Sequence, residues 1–471
     1  MNIIFFMPDE MRAESAGCYG HPVAPTPSLD AFAAQGTRFE QCHVQHSVCT
    51  PSRCSMMTGW YPHVRGHRTL WHLLRPDEPN LLRYLKQAGY QIQLYGKNHL
   101  LAPGSLADST TTVANYGKGM FGANPYSLDD PRYYSFLFDP YKGPLAEHGD
   151  YANVQAAIKF LQSKPEQPFV LYLPLLFPHC PYCAPPHWHD AINPDDLPPL
   201  RPANLPGKPE FHRLIRETRR LTEVDDEHLR KIQAVYLGMI GFIDELFGQL
   251  LEALDDANLT EDTTVFFFSD HGDYAGDYGL VEKWPSAAED IITRVPFVVR
   301  TPDGAAGHVV AEQIELFDLM ATTLELAGLE AKHTHFARSL VPQLQGQAGD
   351  PNRAVFTEGG YARHEPHAFE GFPERAWFWQ DKHRIYHPKG KLQQDEPDSV
   401  GRSVTIRTLS HKLTYRPTGQ SELYDLAADP QELYNRYENE AYRAIRQDLE
   451  NQVLAWLVQT GDVTPFEEDP W

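Results

Sequence analysis

Two groups of side chains in this sequence could do chemistry together. Asp9-Glu10 and Asp270-His271 offer three carboxylates and one imidazole, a donor set suited to Mg²⁺, Mn²⁺ or Ca²⁺ more than to a thiolate-seeking metal. Carboxylates gathered at strand ends repel one another unless a cation lies among them. Taken singly, an Asp after a strand is more often a helix N-cap or turn residue; together the pairs point to a metal. The second group is Cys49-Thr50-Pro51-Ser52-Arg53, continuing to Gly59. Pro51 suits the first turn of a helix and Gly59 its end, which leaves Cys49 at the N-terminus. Free N–H groups and the helix dipole favour an anion there. The plainer alternative is a buried structural cysteine, and these residues alone leave both readings open.

The elements that must position these groups alternate. Short apolar runs at Asn2 to Met7, Gln91 to Tyr95, Phe169 to Leu173, Thr264 to Ser269 and Val295 to Arg300 read as strands buried on both faces, with helical patterns between them. This is the signature of an α/β fold with helices on both faces of a mostly parallel sheet. In such a sheet, functional groups gather beyond the carboxyl ends of the strands. Asp9 and Glu10, Lys97 and His99, His179, and Asp270 and His271 each follow a strand, so a parallel sheet brings them to one rim.

From about Glu227 to Leu254, apolar residues recur every three or four positions, which predicts a long core helix. The proline-rich stretch from Cys180 to Pro209 predicts an irregular functional loop or lid. Q-G-Q-A-G-D-P-N-R at 345–353 reads as a linker, dividing a catalytic domain, 1–348, from a smaller C-terminal domain, 349–471. There the runs Arg384 to Tyr386, Val404 to Arg407 and Lys412 to Tyr415, then a helix from about Glu438 to Thr460, predict an α+β unit with an antiparallel sheet.

With 471 residues, 42% hydrophobic and 22% charged, the chain is large enough for a main domain with a companion. Sixty-three acidic against 41 basic side chains leave a formal charge of −22, which argues against nucleic acid or an anionic membrane as partner. Arg201, Lys208, Arg213, Arg216, Arg219 and Arg220 form a local basic cluster, read first as a solvated helix face. The run Ile3 to Met7 is too short for a signal segment, and no run approaches the roughly 18 apolar residues of a membrane span. Six cysteines in a chain of this size imply no disulfide framework. The expectation is a soluble protein of the cytoplasm.

C-T-P-S-R at 49–53 matches the C-x-P-x-R motif of the type I, formylglycine-dependent sulfatases, in which the cysteine is oxidised enzymatically to an aldehyde. The resemblance extends over nearly the whole chain. It takes in the opening strand with its acidic pair, T-G-W-Y-P after the motif, G-K-N-H at Gly96 to His99, P-H-C-P at Pro178 to Pro181, S-D-H-G-D at Ser269 to Asp273, Lys283, and E-L-Y-D-L at Glu422 to Leu426. It implies an alkaline phosphatase-like fold, a sulfuric ester hydrolase, and 3-oxoalanine (formylglycine) at Cys49 made by a formylglycine-generating maturation enzyme. It implies a divalent cation, usually Ca²⁺, held by Asp9, Glu10, Asp270, His271 and the modified Cys49. Arg53 resembles the residue that steadies the aldehyde and the metal carboxylates, Lys97 and His99 the pair that holds and deprotonates its hydroxyls, and His179 and Lys283 the pair that grips the sulfate and its leaving oxygen. Two positions depart from the common pattern, Glu10 where Asp is frequent and His271 where Asn or Gln is, so Mg²⁺ and Mn²⁺ stay open as alternatives.

The implied reaction is chemically coherent. An aldehyde hydrates to a geminal diol, one hydroxyl attacks sulfur, and loss of the second hydroxyl's proton expels sulfate and restores the aldehyde. The nearest rival is a formylglycine-dependent phosphonate monoester or phosphodiester hydrolase; the pair Lys97 and His99 favours the sulfatase, since the phosphonate branch tends to have residues without charge-bearing groups there. Cys180-Pro181-Tyr182-Cys183 also resembles a redox pair, but it lacks the helix start such a pair needs; with His187 and His189 it could instead hold zinc. The resemblance implies as substrate a sulfated small molecule or saccharide. Its alcohol end would be read by His63, Arg65, His67, Arg68 and His72, by Cys180 to Arg220, and by Tyr361 to His367.

Overall fold

The structure is a computed structural model that describes residues 1–105, 110–112, 119–371 and 377–466, with the side chains of 110–112, 377 and 378 outside the description. Its strands are β1 (Asn2–Asp9), β2 (Thr37–His43), β3 (Gln91–Tyr95), β4 (Thr110–Thr112), β5 (Phe169–Pro178), β6 (Thr263–Phe268), β7 (Arg294–Val295), β8 (Phe297–Arg300), β9 (His308–Glu315), β10 (Val355–Gly359), β11 (Ser403–Arg407), β12 (His411–Tyr415) and β13 (Glu422–Asp425).

The large sheet runs β4-β3-β5-β1-β6-β8-β2-β7, with β9 paired to β2. From β4 to β6 every pairing is parallel; β8 is antiparallel to both β6 and β2. The α/β expectation therefore holds, and the ends of β1, β3, β5 and β6 share one rim. Alternation along β1 explains why the sheet is buried twice over. Ile4 and Phe6 enter the core formed with the helix Asp226–Asp256, while Ile3, Phe5 and Met7 enter the core on the opposite face with Met56 and Met57. Each such side chain contributes about 1.5–3 kcal/mol by leaving water. By length and composition the helix Asp226–Asp256 could cross a membrane, but most of it is buried inside the protein, as the 3.6-residue stripe predicts for a core helix.

The smaller sheet, β10-β11-β12-β13, is antiparallel throughout. Leu449 and Val453 of the helix Arg443–Thr460 cover it at Ile406, Leu413 and Leu423. Several expectations need correction. The run Arg384 to Tyr386 is no strand: it is a turn before the helix His387–Asp395, since Pro388 in the next turn suits a helix start. Pro296, without an N–H, splits the expected fifth strand into β7 and β8. The last helix begins at Arg443 rather than near Glu438, after a 3₁₀ turn at Glu440–Tyr442. The basic cluster is mostly not a solvated face: Arg201 is paired with Glu14 and Asp277, Arg219 is buried against Glu282, and only Arg213 and Arg220 have broadly exposed pairs.

Candidate active site

The helix Cys49–Thr58 starts at the rim of the large sheet, with Pro51 in its first turn and Gly59 ending it in the left-handed region at φ 69°. Ser52 Oγ donates to the Asp270 carbonyl at 2.6 Å, which ties the helix start to the end of β6. The end of β1 is held as firmly. Ser269 Oγ donates to the Pro8 carbonyl at 2.9 Å, and Tyr236 Oη of the long core helix donates to the Glu10 carbonyl at 2.6 Å. Glu10 turns the chain at φ 70°, outside the usual range for a non-glycine residue. At the end of β3 only glycine fits position 96, because a Cβ there would collide with the Pro174 carbonyl and φ is 143°. That close approach lets the Lys97 N–H donate to the same carbonyl at 2.7 Å and aims Lys97 at the rim.

Asp9, Cys49, Arg53, Asp270 and His271 meet there, all essentially without solvent exposure. Arg53 is the cross-brace: Nη2 donates to Asp9 Oδ2 at 2.6 Å, Nε to Asp270 Oδ2 at 2.7 Å and Nη1 to the Lys97 carbonyl at 2.7 Å. Lys97 Nζ donates to Asp9 Oδ2 at 2.5 Å and to Cys49 Sγ at 3.5 Å. Burial alone would raise the Asp9 pKa, but the Lys97 ammonium and the Arg53 guanidinium hold it well below the usual carboxylate range. Burial, then the Asp9 carboxylate, push the Cys49 thiol far up. An unmodified Cys49 is thus a protonated thiol and a poor nucleophile.

The donors fit a divalent cation. His271 Nδ1 faces the Gly272 carbonyl at 2.9 Å and so carries the ring proton, which leaves the Nε2 lone pair directed at 3.2 Å from Cys49 Sγ, 3.7 Å from Asp9 Oδ1 and 3.9 Å from Asp270 Oδ1. Ligands about 2.3–2.6 Å from a common ion sit roughly 3.3–5 Å apart, and these four residues offer atoms all within 4.8 Å of one another. The Cys49 sulfur stands where an oxygen of an oxidised side chain would be. Glu10 falls in an overlapping group with Asp9, Cys49 and His179 rather than with Asp270 and His271, and its Oε2 is buried without a hydrogen-bond partner, an arrangement a cation would relieve.

On the other side of Cys49, Lys283 Nζ contacts Glu10 Oε1 and donates to His179 Nε2 at 3.0 Å. His179 Nδ1 donates to the Cys180 carbonyl at 2.6 Å, which fixes this tautomer. Burial, then the Lys97 charge, lower His179 to about 3 and keep it neutral; His99 is lowered well below the usual range for the same two reasons. Burial, then the neighbouring Lys389, push the Lys283 amine down to about 7, while contact with Glu10 favours its charged form.

These groups open into a cavity of about 550 Å³ with Cys49, Lys97, His99, His179 and Lys283 in its lining. Leu70, Trp71, Phe121 and Pro181 give it an apolar side; Arg384, Tyr386 and Lys389 give it another. Sequence reasoning missed this second side, because no local pattern tells that the residues around 384–389 fold back over the rim. Of the residues expected to read the alcohol, Cys180 and Pro181 do line the cavity, whereas His63 bonds Glu358 and the Thr460 carbonyl, His67 bonds Glu78, and Arg68 pairs with Glu365. Their neighbours Leu70 and Trp71 reach the cavity instead. Cys180 and Cys183 are both free thiols. Among the described residues they form no joint metal group with His187 and His189; Cys180 instead lies with Glu10 and Asp273.

Residues 1–329 match a family model described as Sulfatase. The multifunctional alkaline phosphatase superfamily protein PehA of Trinickia caryophylli is 26% identical, over 98% of this chain and 94% of its own. The N-acetylglucosamine-6-O-sulfatase of Bacteroides thetaiotaomicron is 23% identical, over 99% and 88%. Among solved structures, the phosphonate monoester hydrolase of Agrobacterium radiobacter has a TM-score of 0.77 at 20% identity, covering 98% of this chain and 96% of that one, a likeness of fold.

Proposed function

The chain belongs to the sulfatase family, and from that premise we propose that it hydrolyses aryl or carbohydrate sulfate esters through formylglycine made from Cys49. The observation that carries this reading is the setting of Cys49: a helix N-terminus with Lys97, His271 and Asp9 within 3.6 Å of Sγ, in a place where the thiol itself is inert. That setting suits an oxidised side chain better than a cysteine nucleophile.

The aldehyde would supply, as its hydrate, the attacking oxygen, and a divalent cation on Asp9, Glu10, Asp270 and His271 would supply Lewis acidity. Arg53 keeps Asp9 charged and holds both Asp9 and Asp270 in place, so the arrangement opposite the sulfuryl group is set before substrate arrives. Lys97 neutralises and orients at position 49. Lys283, as the ammonium, protonates the departing alcohol oxygen, and the neutral His179 fixes the direction of its N–H groups. His99, uncharged at neutral pH, accepts the proton released when sulfate leaves. The apolar wall of the cavity keeps water from competing for these contacts.

The test is sulfate release from 4-nitrophenyl sulfate and sulfated saccharides by protein co-produced with a formylglycine-generating enzyme, with peptide mass spectrometry at Cys49. Conversion of Cys49 together with sulfate release supports the reading. A kcat/KM for phenyl phosphonate esters several decades above that for every sulfate ester would instead make the chain a phosphonate monoester hydrolase.

A further inference from the structure

The wall missing from the sequence analysis is shared between two cavities. Arg384 and Tyr386 line the cavity that contains Cys49, and both also line a second cavity of about 340 Å³ with Asn124, Tyr133, Phe138 and His383. Small-ligand sites run to about 300–1,000 Å³, so each compartment has room for one saccharide-sized unit. Aromatic faces at Tyr133, Phe138 and Tyr386, with the Asn124 amide, suit a ring that is apolar on its faces and polar at its edge. A third cavity of about 720 Å³ shares Phe138 with the second and is lined by charges of both signs, Asp139, Asp225, Glu227, Arg132 and Lys231 among them.

Arg384 is exposed at the boundary of the first two cavities, next to exposed Lys382 and His383. Its contact with Asp381, at 3.9 Å with both side chains about half exposed, is of the kind that contributes little to stability. The chain as a whole carries a formal net charge of −22 and repels anions at long range, so a local cation at the mouth matters for an anionic substrate. The backbone of this segment is fixed without the Arg384 side chain: Tyr133 Oη donates to the His383 carbonyl at 2.6 Å, Tyr134 Oη to the Lys382 carbonyl at 2.7 Å, and the Tyr386 ring packs edge-on against Phe136 at 5.1 Å.

We propose that the segment from Arg384 to Lys389 divides an elongated substrate site in two, and that Arg384 binds an anionic group, carboxylate or sulfate, on the saccharide unit next to the one whose sulfate is removed. The proposal rests on the sulfatase reading and adds a substrate class to it: sulfated saccharides of at least two units with a second anion on the neighbouring unit.

The experiment measures kcat/KM for sulfate release by the matured full-length protein on 4-nitrophenyl sulfate and three sulfated disaccharides whose neighbouring unit is neutral, a uronate or sulfated. Arg384→Ala is expected to lower kcat/KM on the two anionic disaccharides by roughly 10- to 100-fold, mostly through KM, to change it less than twofold on 4-nitrophenyl sulfate and the neutral disaccharide, and to leave Tm unchanged. Arg384→Lys recovers part of the loss. The arm that loses more, uronate or sulfate, identifies the anion. Equal effects on neutral and anionic disaccharides, or no effect on any, overturn the subsite while leaving the sulfatase reading intact. If the parent enzyme releases sulfate from none of the four substrates, the sulfatase reading falls and takes the subsite with it.

Discussion

The nucleophile corner and the wall facing it are built on opposite principles. At the corner, Asp9, Arg53, Asp270 and His271 are sealed from solvent, each at or beside the end of a parallel strand or in the first turns of one helix, and Arg53 alone binds groups from three of these elements. On the facing wall Arg384 is exposed and Tyr386 half-buried, on a segment that reaches back between β10 and β11. The difference separates two demands on one cavity. Charge placed for a reaction must be fixed and dry to be worth its cost, whereas groups that recognise the rest of a substrate can change without disturbing that balance. Between them sits a buried seam, where Lys389 joins Glu282 and Glu370 and Arg219 completes the neutralisation of Glu282.

The comparison breaks if the corner tolerates change as the wall does, and Arg53→Ala tests this with the largest expected effect. Removing the guanidinium leaves Asp9 and Asp270 buried and facing each other, and breaking a buried pair in this way costs about 3–5 kcal/mol. Without the opposing guanidinium charge, a divalent cation among these carboxylates binds the variant more tightly than the parent, and a 100-fold tighter Kd offsets about 2.7 kcal/mol of that cost. Urea unfolding should therefore show a larger loss for Arg53→Ala in EDTA than in millimolar Ca²⁺, with sulfate release lost in both. An equal loss with and without Ca²⁺ means that the carboxylates do not share a cation.

A smaller effect, of roughly 10²–10⁴ in rate, is expected at Lys283. Burial and Lys389 push its amine down to about 7, and the ammonium is the form that donates, so the donor population falls as pH rises through about 7. Sulfate esters of poor leaving alcohols should lose kcat above that pH; 4-nitrophenyl sulfate, whose leaving group needs little help, should show a shallower limb. Lys283→Ala removes the limb and slows the alkyl ester far more than the aryl ester. Because contact with Glu10 favours the ammonium, Glu10→Gln should move the limb to lower pH. An alkaline limb that persists in Lys283→Ala assigns the proton to another group.

The corner was legible in the sequence and the wall was not, for one physical reason. Asp9, Lys97, His179 and Asp270 follow runs such as N-I-I-F-F-M and T-V-F-F-F, whose continuous apolar character marks a strand buried on both faces, and parallel pairing then delivers whatever follows each run to a common rim. The strand β2, T-R-F-E-Q-C-H, carries polar residues at alternate positions and pairs with elements more than 200 residues away, so it escaped notice, as did β9. Arg384 to Tyr386 reads as a strand from composition alone. Tyr133, Tyr134 and Phe136, which hold it as a turn, lie some 250 residues earlier, and no spacing in the sequence announces that contact. The basic residues between Arg201 and Arg220 failed for a related reason, since their partners Glu14, Asp277 and Glu282 are distant in sequence.

The smallest effect is expected at Cys183, and it sharpens the same contrast within three residues of one loop. Cys180 lines the Cys49 cavity and lies against the Tyr386 hydroxyl at 3.9 Å, whereas Cys183 points into the core, where its sulfur accepts the Gly122 N–H at 3.4 Å. Burial pushes the Cys183 thiol up to about 12, so at neutral pH it is a protonated side chain unsuited to redox exchange or to zinc. Cys183→Ala should cost about 1 kcal/mol of stability, keep kcat/KM on 4-nitrophenyl sulfate within twofold, and leave zinc content at background. Cys180→Ala enlarges the cavity beside Tyr386, so its effect should fall on saccharide substrates more than on the aryl ester. A Cys183→Ala protein that loses activity while still folded would move that side of the loop from packing to chemistry and erase the boundary between the fixed corner and its surroundings.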